Sequence, residues 1–250
     1  MGFRIAQFIG SALFNALMWL SVLLYAPLML LTFPLPFRSR YYLISRWAAF
    51  QIWVLRVLCG VQYEIRGREH LPPGPAIVMA KHQSTWETFT LPLVFPPQTW
   101  VVKRELMWVP LFGWALALLK PIAIDRGSKR EAIRQVIVQG CERLKAGIWV
   151  TVFPEGTRVP PGKRRRWGSG GAALAAHTGY PVVPVAHNAG HYWPRRGFIK
   201  RRGTIQLVIG PTIDAHGRSS EEILRRAEEW VTRTMEQLEG MKSEQLKGKS

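Results

Sequence analysis

The sequence predicts an α/β fold, a largely parallel mixed sheet flanked by helices, preceded by an N-terminal two-helix membrane-associating motif. Short apolar runs alternate with helical patterns from residue 61 onward, which is typical of a parallel sheet. The preceding residues are far more apolar, and the 250-residue chain carries a formal charge of +18, so the partner must tolerate dense positive charge. We divide the chain into membrane-associated helices (1–60), an α/β domain (61–240) and a polar tail (241–250).

The first predicted element is a helix in FIGSALFNALMWLSVLLYAPLMLLTF, residues 8–33, which contains no charged side chain. A helix needs roughly 20 apolar residues to cross the hydrocarbon core, so this stretch is long enough, although Asn15 and Pro27 weaken it. A cleaved signal peptide is the alternative, but its apolar core usually has about 7–15 residues, and no clear small-residue cleavage site follows here. We therefore expect a retained membrane segment.

The second predicted helix is YYLISRWAAFQIWVLRVLCG, residues 41–60, where apolar and aromatic residues recur at helical spacing. Arg46 and Arg56 could share one flank and reach lipid phosphates, as in a helix lying in the membrane interface. A core helix of the domain would give the same pattern. Pro34 and Pro36 separate the two helices, so a hairpin held in one leaflet and a single full span both stay open.

Strands are predicted in the α/β domain wherever a short apolar run adjoins turn residues. They are VQYEIRG (61–67), AIVMA (76–80), TWVVK (99–103), PIAIDR (121–126), IWVTVFP (148–154), YPVVPVA (180–186) and TIQLVIG (204–210). Amphipathic helices are predicted over 128–147 and 219–240, the second capped by Ser219 or Ser220. The polar tail is expected to be disordered. In sheets of this kind, functional residues lie at the carboxyl ends of strands.

The first candidate site is KHQSTWET, residues 81–88, which follows the second predicted strand. On a continuous helix, residues five apart lie about 140° around the axis, so His82 and Glu87 can meet only if a turn intervenes. A helix beginning near Ser84 supplies that turn. A histidine beside a carboxylate is a general-base arrangement, because the acid orients the ring and stabilises its protonated form. Ser84 and Glu87 also match a capping box, in which the glutamate begins the helix, and both interpretations stay open.

The second candidate site is VFPEGTR, residues 152–158, at the end of another predicted strand. Gly156 permits the backbone to curl or to approach a ligand closely. Arg158 offers the planar donor fork that suits a phosphate. The alternative is an ordinary strand-end turn with a surface ion pair, and the pattern alone does not decide between them.

Together these patterns resemble the glycerolipid acyltransferase family, specifically its bacterial 1-acyl-glycerol-3-phosphate acyltransferases. Four family blocks occur in the expected order, namely KHQSTWE, KRELMWVPLFGWALALLKPIAIDR, FPEGTR and YPVVPVA. The resemblance covers residues 76–186 closely and the N-terminal helices loosely. The first block of the family usually ends in aspartate, whereas this chain has Glu87, whose reach is one methylene longer. That departure changes the relay geometry between the acid and His82.

The resemblance implies acyl transfer from a thioester to the free hydroxyl of 1-acyl-sn-glycerol-3-phosphate, giving phosphatidic acid in phospholipid biosynthesis. His82 would take the proton of the hydroxyl while Glu87 orients His82. Arg158 would meet the phosphate, and no covalent acyl-enzyme, metal or cofactor is required. The positions that the family ties to substrate binding correspond here to Lys103, Glu155, Gly156, Thr157 and Arg158.

The resemblance also implies partners and a location. The acyl donor would be acyl-CoA or acyl carrier protein, the acceptor lysophosphatidic acid, and the chain would contact membrane lipids at an anionic bilayer surface, with no nucleic acid. The location would be the bacterial inner membrane, with the active site on the cytoplasmic side. The two cysteines, Cys59 and Cys141, suggest neither a disulfide nor a metal site and fit a reducing compartment.

Two other functions stay open. An acyltransferase for another lyso-lipid, such as a lyso-ornithine lipid, would share these blocks but would need no phosphate contact. A non-enzymatic basic protein that binds membrane surfaces or nucleic acid would explain the charge but would leave KHQSTWET and FPEGTR without a role.

Several further residues carry weaker predictions. KRRRW, residues 163–167, is either a basic binding segment for an acidic carrier or for headgroups, or a solvated loop. Oxyanion donors could be backbone amides near the helix start at Ser84. Histidines expected to be structural or exposed are His70, His177, His187, His191 and His216. Tryptophans that suit either a membrane-interface belt or the core are Trp53, Trp108, Trp114 and Trp193.

Overall fold

The computed structural model describes the backbone of residues 2–95 and 97–247. Its helices are α1 (Gly2–Leu30), α2 (Phe37–Cys59), α3 (Trp86–Val94), α4 (Phe112–Ala117), α5 (Lys129–Lys145), α6 (Gly170–Thr178) and α7 (Ser220–Lys247). Its strands are β1 (Val61–Arg66), β2 (Ile77–Ala80), β3 (Gln98–Lys103), β4 (Ile122–Ile124), β5 (Trp149–Val152), β6 (Val182–His187) and β7 (Gly203–Ile209). Each predicted strand is therefore present.

The strands form one sheet in the order β1-β7-β6-β2-β5-β3-β4. Neighbouring strands are parallel except β6 and β7, which are antiparallel, so the predicted largely parallel mixed sheet is confirmed. The central strand β2 lies between β5 and β6. From β2 the chain continues to β3, on the side of β5, whereas β6 lies on the other side of β2. The end of β2 is therefore a switch point, which is where α/β sheets bind ligands.

Apolar side chains cover both faces of the sheet, and β2 shows why. All four of its residues are buried, and successive side chains point to opposite faces. Val78 belongs to a core cluster with Leu55 of α2, on the face covered by α1, α2 and α3. Ile77 belongs to the opposite cluster with Leu174 of α6 and Ile223 of α7. The result is three layers with the sheet in the middle.

Helix α1 is fastened to the α/β domain by a polar stripe. Gln7, Ser11 and Asn15 recur every four residues, so they share one face of the helix. The Asn15 side-chain amide donates to the Phe198 carbonyl at 3.2 Å, and Ser11 Oγ accepts from the Lys200 backbone amide at 2.9 Å. Helix α1 also contacts α4. Asn15, which weakens the apolar pattern, is thus a docking residue.

The opposite face of α1 is apolar and exposed. Arg4–Leu30 is long and apolar enough to cross a membrane, the one such helix among the described residues, and only 17% of its most apolar window is buried. Helix α2 has two faces, because Leu55 is in the core while Trp53 is exposed. The core interpretation of α2 is therefore confirmed for its inner face, whereas contact of its exposed outer face with a membrane interface stays a prediction. It begins at Phe37, earlier than predicted, directly after Pro36.

The last helix is longer than the sequence predicts. Helix α7 runs to Lys247, so the expectation of a disordered tail over 241–250 is wrong for residues 241–247. The physical reason is local, because MKSEQLK consists mainly of good helix formers and contains no glycine or proline. Residues 248–250 lie outside the described residues.

Candidate active site

The carboxyl ends of β2, β3, β5 and β6 meet at one edge of the sheet, and the predicted site residues follow these strands. His82 comes after β2, Lys103 ends β3, and Glu155 to Arg158 come after β5. Because these neighbouring strands are parallel, their carboxyl ends lie side by side although the residues are far apart in the sequence. The expectation that the motifs fall at strand ends is met.

His82 and Glu87 form a hydrogen-bonded pair across the turn between β2 and α3. His82 Nδ1 lies 2.9 Å from Glu87 Oε1. The imidazole stacks on Phe153 with ring centroids 4.0 Å apart. Its side chain is 14% exposed, whereas the Glu87 side chain is completely buried. Because Nδ1 donates to the carboxylate, Nε2 is the ring nitrogen that can accept a proton.

The same oxygen of Glu87 also begins α3. Oε1 accepts hydrogen bonds from the backbone amides of Gln83 at 2.8 Å and Ser84 at 2.7 Å. The capping and pairing interpretations of Glu87 therefore describe one arrangement. These two amides are therefore engaged by Glu87, and an oxyanion site among the other backbone amides near this helix start stays a prediction.

His187 is a buried neighbour of the pair. Its Nε2 donates to the Lys81 carbonyl at 2.8 Å and lies 3.9 Å from Glu87 Oε2. Burial lowers the pKa of His187, and the neighbouring Glu87 charge acts in the opposite direction. Burial by itself raises the pKa of Glu87, but His187 and the bonds from the His82 ring and the Ser84 amide outweigh it, and that pKa is lowered. Glu87 is thus held as a carboxylate.

The sequence placed no partner beside His187, although the sheet register contains the signal. Ala80 pairs with Val185 on parallel strands, so His187 stands level with His82 on the neighbouring strand. Finding it requires knowing that β6 lies next to β2. The one sequence feature that could point to His187 is its position directly after the apolar run YPVVPVA.

Glu155 holds the catalytic turn from within the protein. Its side chain is 1% exposed. One oxygen accepts from the Lys81 ammonium, and the other accepts from the His82 backbone amide at 2.9 Å. Both carboxylate oxygens are engaged inside the protein, so this geometry does not support the predicted substrate contact of Glu155. It positions His82 instead, and Lys81, to which the sequence assigned no role, is its partner.

Gly156 allows the turn after β5 to curl toward the site. Its φ is +66°, in the left-handed region that favours glycine. Its carbonyl accepts from Arg126 Nη1 at 2.5 Å, and the Val159 amide donates to the His82 carbonyl at 2.8 Å. A backbone hydrogen bond therefore joins the turn after β2 to the turn after β5. Arg126, quoted within a block but not assigned to the site, is part of it.

Arg158 is a half-buried cation in the same turn. Burial lowers its pKa, and the Glu87 charge acts in the opposite direction. Arg195 Nη1 donates to the Arg158 carbonyl at 3.2 Å, so Arg126, Arg158 and Arg195 gather around one turn. Guanidinium groups suit a phosphate because each offers a planar fork of donors.

The remaining predicted residues lie at the margin of this cluster. Thr157 is half-buried between Gly156 and Arg158. Lys103 is exposed at the end of β3, and the order β2-β5-β3 places it two strands from His82, roughly 10 Å by strand spacing. The structure therefore brings the two motifs and Lys103 to one edge.

Other candidate regions lie away from His82. One cavity of about 310 Å³ lies between α1 and α2, and another of about 790 Å³ lies between residues 164–167 and α7. In KRRRW, Trp167 is buried while the four cations are exposed, and Arg164 pairs with Glu236. Trp193 is a core residue rather than part of a membrane belt. Within the described part of the chain, no three His, Cys, Asp or Glu side chains are grouped as a metal site requires.

The Acyltransferase family matches this sequence over residues 62–188, more than half of the chain, and the match includes His82, Glu87 and Arg158. The chain belongs to this family. As an acyltransferase of lipid metabolism it has named relatives. It is 50% identical over 237 residues to the 1-acyl-sn-glycerol-3-phosphate acyltransferase of Pseudomonas aeruginosa, covering 93% of this chain and 92% of that protein.

This acyltransferase is also 32% identical over 184 residues to the 1-acyl-sn-glycerol-3-phosphate acyltransferase of Saccharomyces cerevisiae, covering 68% of this chain and 60% of that protein. Among solved structures it is similar to the 1-acyl-sn-glycerophosphate (LPA) acyltransferase PlsC of Thermotoga maritima. That likeness has a TM-score of 0.78 at 25% identity and covers 94% of this chain and 97% of the other. The acyltransferase fold thus extends over the N-terminal helices as well.

Proposed function

We propose that this acyltransferase moves a fatty acyl group from an acyl thioester to the free hydroxyl of 1-acyl-sn-glycerol-3-phosphate, giving phosphatidic acid. The observation that carries the proposal is the His82–Glu87 pair, at 2.9 Å, joined through a backbone hydrogen bond to the turn that holds Arg158. The shared name of its relatives in Pseudomonas aeruginosa and Saccharomyces cerevisiae supports the same acceptor.

The proposed chemistry begins at His82 Nε2. This nitrogen accepts the hydroxyl proton as the acceptor oxygen attacks the thioester carbonyl carbon. The tetrahedral intermediate collapses with cleavage of the carbon–sulfur bond, and the imidazolium returns its proton to the leaving thiolate. The Glu87 carboxylate stabilises the imidazolium between these steps. Glu155 keeps the His82 backbone in place through the buried Lys81 ion pair.

The acceptor phosphate is assigned to the cationic cluster. Arg158 lies in the turn next to His82, Arg126 bonds to that turn, and Lys103 extends the positive charge along the same edge. Such a cluster favours a phosphate monoester over a zwitterionic or amide-linked headgroup, because its donors need an anion to pair with. This argues against the lyso-ornithine lipid alternative. Either acyl-CoA or acyl carrier protein is compatible as donor.

We further propose that the chain is held on one leaflet of the bacterial inner membrane, with its site on the cytoplasmic side, where acyl thioesters occur. Support comes from α1, which is bound to the domain through Asn15 and Ser11 and also contacts α4. A helix fastened along the domain in this way can bury its outer apolar face in lipid, but it cannot cross the bilayer without taking the domain with it.

One assay tests the enzymatic proposal. The full chain in detergent is given labelled acyl-CoA or acyl carrier protein thioesters with lysophosphatidic acid or a lyso-ornithine lipid. We expect phosphatidic acid as the product, and His82→Ala should lower turnover by about 10²–10⁴-fold. His216→Ala is the matched control, because that exposed histidine pairs only with its neighbour Asp214 in the described structure.

The outcomes are separable. Preferred acylation of the lyso-ornithine lipid would contradict the acceptor assignment, and normal turnover by His82→Ala would contradict the role of His82. Salt-sensitive DNA binding without consumption of any thioester would favour the non-enzymatic alternative.

A further inference from the structure

The segment 104–114, which runs from the end of β3 into the first turn of α4 and is called the rim segment here, exposes an unusual number of large apolar side chains. Trp108 is 70% exposed and Trp114 52% exposed. The other exposed apolar side chains of the segment are Leu106, Val109 and Phe112. A water-facing loop seldom presents two tryptophans together with aliphatic residues, so this patch needs a partner.

The backbone of the rim segment has a defined conformation. Leu111 has a φ of +62°, which is rare for a bulky residue. Gly113 is packed so closely that a Cβ there would lie 2.5 Å from the carbonyl oxygens of Leu106 and Met107. Its amide donates to the Val109 carbonyl at 2.7 Å. The apolar side chains are therefore presented by a defined turn.

The rim segment adjoins the exposed face of the N-terminal hairpin. Helix α4, in which it ends, contacts α1, and Leu116 of α4 packs with Phe37 and Tyr41 at the start of α2. The exposed apolar surface thus continues from α1 to the rim. A lipid surface that covers one of them reaches the other.

Apart from Glu105, the charged residues next to the patch in the chain are cations. Lys103 and Arg104 precede it, Lys120 follows it, and Arg38 lies beside Phe37, over whose ring the Lys120 ammonium stands at 5.8 Å. Tryptophans ringed by lysine and arginine are typical of the interface between hydrocarbon and anionic headgroups. A protein partner would need acidic groups around an apolar centre, whereas an anionic bilayer offers both layers at once.

The base of the rim segment belongs to the active site. Lys103 ends β3 directly before it, Arg104 lies 4.0 Å from Asp125, and the charge of Glu105 acts on Arg126. Arg126 in turn donates to the Gly156 carbonyl. The rim therefore links an exposed aromatic tip to the cationic cluster.

We propose that the rim segment is a second membrane-contacting element, which inserts Trp108 and its apolar neighbours into the same leaflet that holds α1. A lysophospholipid then reaches the cationic cluster along the rim while its acyl chain stays in hydrocarbon. The route for the acceptor rests on the proposed function. The contact between the rim and lipid does not.

The depth of a spin label tests the contact. In a Cys141→Ser background, Trp108→Cys is labelled with a nitroxide, while Cys59 is buried and stays unlabelled. Val138→Cys on α5 is the matched control, because Val138 is 51% exposed on the opposite face of the sheet. The full-length protein is mixed with phosphatidylethanolamine–phosphatidylglycerol vesicles, and collisions with oxygen and with a water-soluble nickel chelate are measured.

We expect the label at position 108 to gain oxygen collisions and lose nickel collisions by several-fold when vesicles are added, while position 138 stays in water. A label at position 108 that behaves like the one at 138 would overturn the proposal. Shielding from both reagents would indicate protein contact and would also overturn it.

A kinetic arm tests the route. Trp108→Asp should raise the apparent KM about tenfold for a long-chain acceptor in vesicles, corresponding to roughly 1.4 kcal/mol, and should leave a short-chain soluble acceptor unaffected. Val138→Asp should change neither value. An equal effect of Trp108→Asp on both acceptors would refute the route. Failure of all acyl transfer in the unmodified chain would refute the proposed function and leave the spin-label result standing.

Discussion

At the scale of single residues, one oxygen atom of Glu87 serves both the pair with His82 and the start of α3. Oε1 accepts from the His82 ring and from the amides of Gln83 and Ser84. The same atom therefore fixes both the position of the His82 ring and the first turn of α3. The glutamate in place of the family's usual aspartate is long enough to reach all three donors from the first turn of α3.

Replacement of Glu87 separates its two roles. Glu87→Gln keeps a carbonyl oxygen that can accept the same three bonds but removes the charge, so we expect turnover to fall by about 10²-fold or more. The free energy of unfolding should change by about 1 kcal/mol. Glu87→Ala should lower both turnover and stability. Turnover is measured from initial rates, and stability from denaturant unfolding in detergent. Glu131→Gln, at a partly exposed position of α5, is the control.

A parallel loss of rate and stability in Glu87→Gln would mean that the charge matters mainly for folding. Full turnover in that variant would mean that Glu87 serves only the helix start. Either result contradicts the shared role assigned here.

The residue types of the site could be predicted from the sequence, but several of their partners could not. His82, Glu87 and Arg158 belong to short local patterns with recognisable chemistry. The contacts of Glu155 with Lys81 and of His187 with the Lys81 carbonyl join strands far apart in the chain. They depend on strand order and register, which composition and periodicity do not contain.

At the scale of elements, the docking of α1 depends on a buried lysine. Lys200 is 2% exposed, and its ammonium donates to Asn15 Oδ1 at 2.5 Å and to the Phe198 carbonyl at 3.0 Å. The same ammonium lies over the rings of Phe14 at 5.5 Å and Trp193 at 5.1 Å. Burial lowers the pKa of Lys200 to about 8, against the opposing influence of Cys59.

This lysine predicts a pH-dependent stability of known sign. The unfolded chain has a lysine pKa of about 10.4, so between about pH 8 and pH 10 it binds more protons than the folded protein. Stability contributed by Lys200 should therefore rise with pH over that window. Relative to Lys200→Met, the unmodified residue should become more stabilising between pH 8 and pH 10, measured by thermal unfolding in detergent.

The comparison is made with Cys59→Ala in both proteins, so that the neighbouring thiol does not titrate. Lys163→Met, in an exposed loop, is the control. If the Tm of the protein that keeps Lys200 differs from the Tm of Lys200→Met by the same amount at every pH, Lys200 does not titrate in this window. The assigned environment of Lys200 is then wrong.

Some boundaries of helices and strands can be predicted from the local sequence pattern alone. Helices and strands follow from periodicity, and the amphipathic helix α5, capped by Ser128, lies within its predicted range of 128–147. The sequence leaves α2 as either a core helix or an interface helix, and the structure shows one helix with a buried core face and an exposed outer face. The extent of α7 was missed because a polar segment with good helix propensity was taken for a disordered tail.

At the scale of the whole molecule, charge and apolar surface should act together on a bilayer. The chain carries +18 formal charges, while the outer faces of α1, α2 and the rim expose large apolar side chains. We expect tight binding to phosphatidylglycerol vesicles at low salt and weaker but persistent binding at about 1 M salt, where the Debye length is only about 3 Å.

Vesicle flotation at several salt concentrations measures this, with neutral phosphatidylcholine vesicles as the comparison. Complete release at high salt would contradict an apolar contact. Binding to anionic vesicles that ignores salt would contradict a role for the charge.

The fastening of α1 to Lys200 also dictates an order of events during translation. Asn15 and Lys200 are 185 residues apart, so at bacterial elongation speeds the helix leaves the ribosome about 10–40 s before its partner exists. During that interval the nascent helix can shelter its outer side in the bilayer, but its polar stripe has nothing to bind. The polar stripe of α1 therefore gains its partner only late in synthesis, when the Lys200 region emerges and docks onto the helix.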